Sequence, residues 1–399
     1  MLTDGALRML VLLHFYKTGF SPIQISTLFV FYELAGVFTN FSTGLLARKF
    51  GLATTLYAGF AVQILALFYL MSSGGTHADT AYLLSVMFAQ GASGVAKDLV
   101  KVSAKSSVKV FSSEEPGQLF WWVALLTGSK NAIKGVGFFL GAVSLVFFDF
   151  TTVIFFMIIL LILAVILTFK IVFKSLPGPE KGIVPHKIFS TNSSINNLSL
   201  ARVFLFGARD VWFAVALPIF LYSSITNATT LTGNSIFFFV GSFMSIWIIF
   251  YGIFQTISPR FFPKHNGLSL RLVNLAVRWN LASVIPPLTL SGFLYYYPPD
   301  TYLVVTILVG GLFVFGFIFA VNSSLHSYLV LALSSKERIS LDVGFYYMAN
   351  SGGRLIGTLL SGVIYQTGGL SLCLLGTAVM LLISSMTISR LKHNYIVES

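Results

Sequence analysis

The polar stretch KSLPGPEKGIVPHKIFSTNSSINNL, residues 174–198, separates two long hydrophobic regions and decides how the chain is divided. It is rich in Pro, Gly, Ser and Asn, a composition typical of a linker. Apolar runs of about 20 residues, the length that crosses a bilayer, occur on both sides. Six such runs precede it and six follow it. The sequence therefore predicts an N-terminal six-helix bundle at 1–173, a cytoplasmic linker at 174–198 and a C-terminal six-helix bundle at 199–399.

The composition requires a membrane environment. Of the 399 residues, 56% are hydrophobic and only 10% are charged, whereas soluble domains carry about 25% charged residues. We therefore predict an all-α integral membrane protein with twelve transmembrane helices. The first is short and polar at Thr3, Asp4 and Arg8, so we expect helix 1 to be N-terminally incomplete. The predicted spans lie near 1–17, 23–46, 52–71, 81–103, 119–141, 151–173, 199–222, 233–256, 276–296, 301–323, 341–364 and 370–389.

Several function classes have no support in the sequence. The single cysteine and the six scattered histidines show no metal-binding spacing, so we expect no metal and no cofactor. The chain has neither a nucleotide-binding loop nor a hydrolase constellation, so an enzyme or an ATP-driven pump is not predicted. A non-transporting receptor is the remaining alternative, but the short connectors leave no room for an additional soluble domain. A nucleic-acid partner is not expected either.

Basic residues indicate the orientation. Fourteen Lys and Arg residues fall in one set of alternate connectors, and Lys17 alone falls in the other. Because Lys and Arg accumulate on the cytoplasmic side, both termini are predicted to be cytoplasmic. We expect a multi-pass protein of the cell (inner) membrane, surrounded by lipid and monomeric.

The segment GLLARKFG, which runs from Gly44 to Gly51, follows the second span. It resembles the signature G-x-L-A-D-R-x-G-R found in the loop between helices 2 and 3 of major facilitator transporters. Lys49 replaces the first arginine of that signature and Arg48 replaces its acidic residue, which puts the usual charge relay of the gate in doubt. Two six-helix halves joined by a cytoplasmic linker also agree with the parallel repeats of that superfamily. We therefore predict the major facilitator fold, with Gly44, Arg48, Lys49 and Gly51 in the gating loop.

Charged residues within the spans indicate a binding site. An unpaired charge at the bilayer centre costs about 2.5–3.5 kcal/mol, so such residues should face a partner or a water-filled cavity. Lys130 and Lys134 lie on one helix face without an acidic residue in the same helix, which favours a bound polyanion or acidic residues on neighbouring helices. Asp4 and Arg8 also share a face; they either form an ion pair, or Asp4 orients Arg8 toward substrate. The predicted substrate-binding residues are Arg8, Lys130, Asn131, Lys134, Arg209 and Arg354.

A second set of charges is predicted to pair or to couple transport to an ion. Arg209 and Asp210 are adjacent, project about 100° apart on a helix and are expected to pair elsewhere, Arg209 with substrate and Asp210 with a lysine. Glu33 is either a proton carrier or an ion-pair partner of a neighbouring helix. Lys101 and Arg202 lie near cytoplasmic helix ends, where long side chains can reach the interface. The predicted coupling or charge-pair residues are Asp4, Glu33, Lys97, Asp98 and Asp210.

Four charged stretches resemble the organoarsenical efflux permeases of the major facilitator superfamily. They are TDGALRML (3–10), AKDLVKVSAKSSVK (96–109), LTGSKNAIKGVGFFLGA (126–142) and ARVFLFGARDVWFAVALP (201–218). The resemblance implies export of 1-arseno-3-phosphoglycerate, which glyceraldehyde-3-phosphate dehydrogenase makes from arsenate, and so resistance to arsenate. That dehydrogenase would be a functional partner. The residues by themselves imply only a small polyanion, and an antiporter of sugar phosphates or other organic anions would use the same charges.

Overall fold

The structure is a computed structural model and consists of helices throughout the residues that it describes. These residues are 1–73, 80–111, 118–176, 192–228, 233–261, 270–297, 302–334 and 339–398. Most of the predicted linker, residues 177–191, lies outside them.

The helices follow the predicted spans closely. The first group is α1 (Leu2–Lys17), α2 (Pro22–Leu28), α3 (Val30–Phe50), α4 (Leu52–Ser72), α5 (Thr80–Phe111), α6 (Gln118–Phe147) and α7 (Phe150–Ser175). The second group is α8 (Ser193–Phe213), α9 (Ala216–Ala228), α10 (Gly233–Ile257), α11 (Leu270–Ala282), α12 (Ile285–Tyr296), α13 (Tyr302–Leu333) and α14 (Ile339–Glu398). A short 3-10 turn, Ser258–Phe261, follows α10.

Short breaks explain why the described residues form fourteen helices where twelve were predicted. Gly368 and Gly369 break α14, with φ of 64° at Gly369, and this break falls between the predicted spans 341–364 and 370–389. Breaks of one or two residues separate α2 from α3, α8 from α9 and α11 from α12. When α14 is divided at its break and the other three pairs are each joined, the described helices number twelve, as predicted. By length and composition, eight of the described helical stretches can cross a membrane, and the one at Asp342–Leu391 contains the α14 break.

Proline explains the break between α8 and α9. Pro218 has no backbone N–H, so it cannot continue the hydrogen-bond ladder of α8 into α9. The backbone N–H groups of Val215 and Ala216 instead donate to the hydroxyl of Ser361 on α14, at 3.2 and 3.0 Å. These two backbone donors at the break are therefore satisfied within the protein, as is required of a backbone inside a membrane.

Tight turns bring consecutive helices close together. Gly51 is the single residue between α3 and α4 and has φ of 88°, a conformation that glycine adopts without steric cost. Asp149 caps α7 by accepting hydrogen bonds from the backbone of Thr151 and Thr152, both at 3.1 Å. The Thr152 hydroxyl also donates to this carboxylate, and these hydrogen bonds lower the pKa of Asp149.

The two groups of helices pack against each other along α3 with α14 and α6 with α10. Within the first group, α1 lies against the glycine-rich face of α6, where a Cβ at Gly141 would lie 2.2 Å from the carbonyl oxygen of Ala6. Tyr16 of α1 and Tyr222 of α9 join the groups near one end, with ring centroids 5.3 Å apart. These two tyrosines occupy positions 206 residues apart in the chain, as do Asp4 and Asp210.

Candidate functional site

A cavity of about 630 Å³ lies between the two groups of helices. On one side it reaches Leu331 and Val343, close to where α13 ends and α14 begins. On the other side its lining includes Leu12, Phe138 and Phe213, while the Tyr16–Tyr222 pair lies farther along α1 and α9. Its basic lining residues are Arg8, Lys97, Lys101, Lys130, Lys134, Arg202, Arg209 and Arg354. The cavity therefore gathers every basic residue that the sequence predicted for the site, together with further ones.

Glu33 joins the two groups of helices next to this cavity. One of its oxygens, Oε1, accepts a hydrogen bond from Arg8 Nη1 at 2.8 Å and another from Arg354 Nη2 at 2.6 Å. Glu33 is 1% exposed, so both ion pairs lie away from solvent. Glu33 thus forms the ion pair with a neighbouring helix that was one of its two predicted roles, and it gives Arg354 an acidic partner that is missing at the nearby positions of its own helix.

Asp210 is the second carboxylate shared by two arginines. Arg354 Nε contacts Asp210 Oδ2 at 3.1 Å, and Arg209 Nη2 contacts Asp210 Oδ1 at 2.6 Å. The expectation that Arg209 and Asp210 are poorly placed to pair is wrong. Their Cβ atoms do point in different directions, but the long arginine side chain folds back far enough to reach its neighbour. Asp210 was expected to pair with a lysine, but its partner from another helix is Arg354 of α14.

Asp4 pairs with residues other than Arg8. Its Oδ1 accepts a hydrogen bond from the Tyr32 hydroxyl at 2.7 Å, and its Oδ2 lies 3.6 Å from Lys134 Nζ. The predicted contact between Asp4 and Arg8 does not form, so Asp4 does not orient Arg8. Although the two share a helix face, α3 and α6 approach α1 closely enough to supply each of them with a different partner.

Asp98 is the centre of a cluster of charged and polar side chains on the wall of the cavity. Lys101 Nζ lies 2.7 Å from Asp98 Oδ1, and Lys97 Nζ lies 3.9 Å from the same oxygen. Asn40 donates to Asp98 Oδ2 at 3.2 Å and to the hydroxyl of Ser351 on α14 at 2.8 Å. The cluster thus links α3 and α5 to α14. The side chain of Lys105, four residues after Lys101 on α5, lies outside what the structure describes.

Lys130 and Asn131 lie on the wall formed by α6. Both line the cavity, and the Asn131 side-chain amide donates to Gln255 Oε1 of α10 at 2.8 Å. Asn131 is therefore held across the boundary between the two groups of helices.

Of the predicted gating residues, the structure describes the surroundings of Lys49 and Gly51, which lie at the C-terminal end of α3 and in the turn after it and are not among the described residues that line the cavity. Gly51 forms the turn into α4 described above. Lys49 is exposed, with its ammonium 5.4 Å from the ring centre of Phe50. The surroundings of Gly44 and the side chain of Arg48 lie outside what the structure describes, so the predicted role of these two residues stays a prediction.

The predicted binding residues did not include Lys101 and Arg202. Both were expected to reach the membrane interface, yet both line the cavity, and Arg202 is only 3% exposed. The spacing of residues along α8 could have indicated that Arg202 faces the cavity. Four of the cavity-lining positions of α8, Arg202, Phe206, Arg209 and Phe213, recur every three or four residues and so share one face.

Comparison with solved structures identifies the arrangement of helices. A crystal structure of a mutant of the nucleoside transporter NupG matches with a TM-score of 0.66 and 17% identity, over 99% of this chain and 96% of that one. The human organic anion transporter MFSD10 matches with a TM-score of 0.62 and 15% identity, over 91% of this chain and 83% of that one. The chain has the major facilitator fold. No protein-family model and no curated protein matches the sequence.

The major facilitator fold agrees with the prediction from the division of the sequence at 174–198. In this fold the cavity described above lies between the first and the second group of helices, and both groups contribute charges to it. At these identities the likeness concerns the fold alone.

Proposed function

We propose that the protein is a secondary active transporter whose cargo is a small organic polyanion. The observation that carries this proposal is the charge of the cavity, where eight basic side chains face or contact four acidic ones, Asp4, Glu33, Asp98 and Asp210. An excess of buried positive charge is unfavourable unless an anion or water compensates it. An anionic cargo would supply the missing negative charge when it binds.

We further propose that this cargo is the arsenate ester 1-arseno-3-phosphoglycerate and that the protein exports it. The four stretches that resemble organoarsenical permeases include Asp4, Arg8, Lys97, Lys134 and Arg209, which all line the cavity. Arginine can bind phosphate or arsenate through two parallel hydrogen bonds, and lysine acts as a point charge. Glyceraldehyde-3-phosphate dehydrogenase would then be a functional partner, because it produces the ester from arsenate.

An antiporter of sugar phosphates or other organic anions is the second candidate. The volume of the cavity, about 630 Å³, falls within the range of about 300–1,000 Å³ that is typical of pockets for drug-sized ligands. It therefore leaves room for an organic anion larger than a three-carbon ester.

Arsenic resistance separates the two candidates. Expression in an arsenic-sensitive bacterium is expected to confer resistance to arsenate only when the dehydrogenase is co-expressed, since the ester must first be made. Growth in arsenate and in arsenite, with and without the dehydrogenase, is the measurement. Protection against arsenite without protection against arsenate would contradict the substrate assignment, and a chain carrying Arg8→Gln serves as the transport-deficient control.

The membrane and the orientation are also proposals. We propose the inner membrane, with both termini and the 174–198 linker on the cytoplasmic side, a bundle on each side of that linker, and a monomer as the transporting unit. The excess of basic residues in one set of connectors supports the orientation. Single cysteines introduced at Lys17 and at Lys187 in a Cys373→Ser background are expected to react with an impermeant thiol reagent in intact spheroplasts only at position 17.

Coupling to protons is proposed for Asp4, Glu33 and Asp210. Among them, Asp4 has the loosest ion pair, because its Oδ2 lies 3.6 Å from Lys134 and accepts no hydrogen bond from the described residues. Asp4→Asn is therefore expected to reduce uptake driven by a pH gradient in everted vesicles at least tenfold while leaving counterflow exchange of cargo intact. Unchanged uptake in Asp4→Asn, Glu33→Gln and Asp210→Asn would rule out proton coupling through these carboxylates.

A further inference from the structure

Arg202 occupies an unusual position on the wall of the cavity formed by α8. Its Nε donates a hydrogen bond to Asn350 Oδ1 at 3.0 Å, and its Nη1 donates to the backbone carbonyl of Ser323 at 3.1 Å. The residue is 3% exposed and lines the cavity. Both of these partners are neutral, so the guanidinium is oriented by α13 and α14 without being neutralised.

The other arginines of the cavity differ from Arg202 in this respect. Arg8, Arg209 and Arg354 each contact a carboxylate at 2.8 Å or less. Across the described part of the chain, no carboxylate lies within ion-pair distance of Arg202. A buried cation normally pairs with an acidic residue or with a ligand, because an isolated buried charge is expensive.

Aromatic rings hold the guanidinium in place. Its central carbon lies 3.9 Å from the ring centre of Phe206 and 4.9 Å from that of Tyr346. Stacking against aromatic faces is a contact that arginine makes favourably, and it uses the faces of the guanidinium while hydrogen bonds form at its edge. Ring stacking and neutral hydrogen-bond acceptors therefore hold the guanidinium in position. Its positive charge has no acidic partner among the described residues.

We infer that Arg202 is the cation that binds an oxyanion group of the cargo, either a phosphate, an arsenate or a carboxylate. The inference rests on the proposed function in requiring an anionic cargo, and it adds a binding residue and a place for the anionic group. Arg202 and Arg209 lie seven residues apart on α8, which is about two turns and about 10 Å along the axis. The subsite at Arg202 is therefore separate from the paired charges around Glu33 and Asp210.

Replacing Asn350 by Asp tests this inference while leaving Arg202 in place. The new carboxylate would stand where the neutral amide oxygen lies 3.0 Å from Arg202 Nε, so it would neutralise the guanidinium and compete with the cargo. Asn350→Asp is expected to weaken binding of 3-phosphoglycerate to the purified protein about 30-fold or more, and to raise the midpoint of thermal unfolding. Arg202→Gln is expected to weaken binding to a similar extent, with Arg202→Lys intermediate.

Isothermal titration calorimetry with 3-phosphoglycerate and with inorganic phosphate gives the affinities. Arg271→Gln is the matched control, because Arg271 is exposed at the start of α11 and should bind as the unmodified protein does. Binding that is unchanged in both Asn350→Asp and Arg202→Lys would overturn the inference and leave the proposed transport of anions standing. Failure of the unmodified protein to bind either anion, together with a lack of arsenate resistance, would overturn both.

Discussion

Replacement of Glu33 by Gln is expected to destabilise the protein by about 3–5 kcal/mol, the effect of removing one partner from a buried ion pair. Glu33 Oε1 is the acceptor for both Arg8 and Arg354, and the substitution would leave two buried guanidinium groups without this carboxylate. Arg354 would retain Asp210, whereas Arg8 would lose its ion pair among the described residues. The contact between α3 and α14 would weaken, and with it the shape of the cavity.

Thermal unfolding of the purified protein in detergent measures this loss of stability, and vesicle uptake measures its effect on transport. The double variant Glu33→Gln/Arg8→Gln provides the control, because it also removes the cation that the single variant leaves unpaired. Its destabilisation should be smaller than the sum of the two single changes, by an interaction energy of about 1–3 kcal/mol. Additive effects of the two changes would show that the Arg8–Glu33 pair does not contribute to stability.

A side chain at position 353 is expected to disrupt the packing of α14 against α8. A Cβ added to Gly353 would lie 2.1 Å from the backbone carbonyl oxygen of Val203, and a backbone atom cannot rotate out of the way. The two helices would have to separate, so Gly353→Ala should cost about 1–3 kcal/mol or more. Because α8 carries Arg202 and Arg209 and α14 carries Asn350 and Arg354, their separation should also abolish binding of anions.

Gly352 is a closely matched control. It precedes Gly353 in the same helix, and a Cβ there would have no neighbour within 4 Å. Gly352→Ala is therefore expected to leave stability unchanged or to raise it by up to about 1 kcal/mol, since alanine favours a helix more than glycine does. The yield of monodisperse protein and the midpoint of thermal unfolding compare the two variants. Equal midpoints for Gly352→Ala and Gly353→Ala would contradict the close approach of α8 and α14.

Hydrophobic run lengths and the 174–198 stretch were sufficient to predict the fold. Each span is long enough to show in the sequence, because the bilayer demands about 20 apolar residues and internally satisfied backbone hydrogen bonds. Even the break at Gly368 and Gly369 fell between two predicted spans. Pro218 marks the interruption between α8 and α9 in the sequence, but the hydroxyl that accepts hydrogen bonds from the backbone there belongs to Ser361 of another helix, and local sequence does not specify that contact.

The sequence also showed which residues needed a partner or a water-filled cavity, since charges inside apolar spans are costly wherever they lie. Which charges pair with each other was decided by the packing of the helices. Glu33 and Arg354 are 321 residues apart in the chain, and the distances along one helix that govern local pairing say nothing about such a contact. The predicted contact of Asp4 with Arg8 was wrong for this reason, whereas Arg209 reaches the adjacent Asp210 because its long side chain folds back.

Arg202 illustrates the same division between sequence and structure. Its position near a helix end suggested a side chain reaching the membrane interface, because local sequence cannot show whether a helix face meets lipid or another helix. The packing of α8 against α13 and α14 buries this face and surrounds the guanidinium with neutral partners. The sequence alone determined a twelve-helix membrane protein with an excess of positive charge inside its spans. Only the tertiary structure decided which of those charges neutralise one another and which is left for an anion, since that depends on distances between helices.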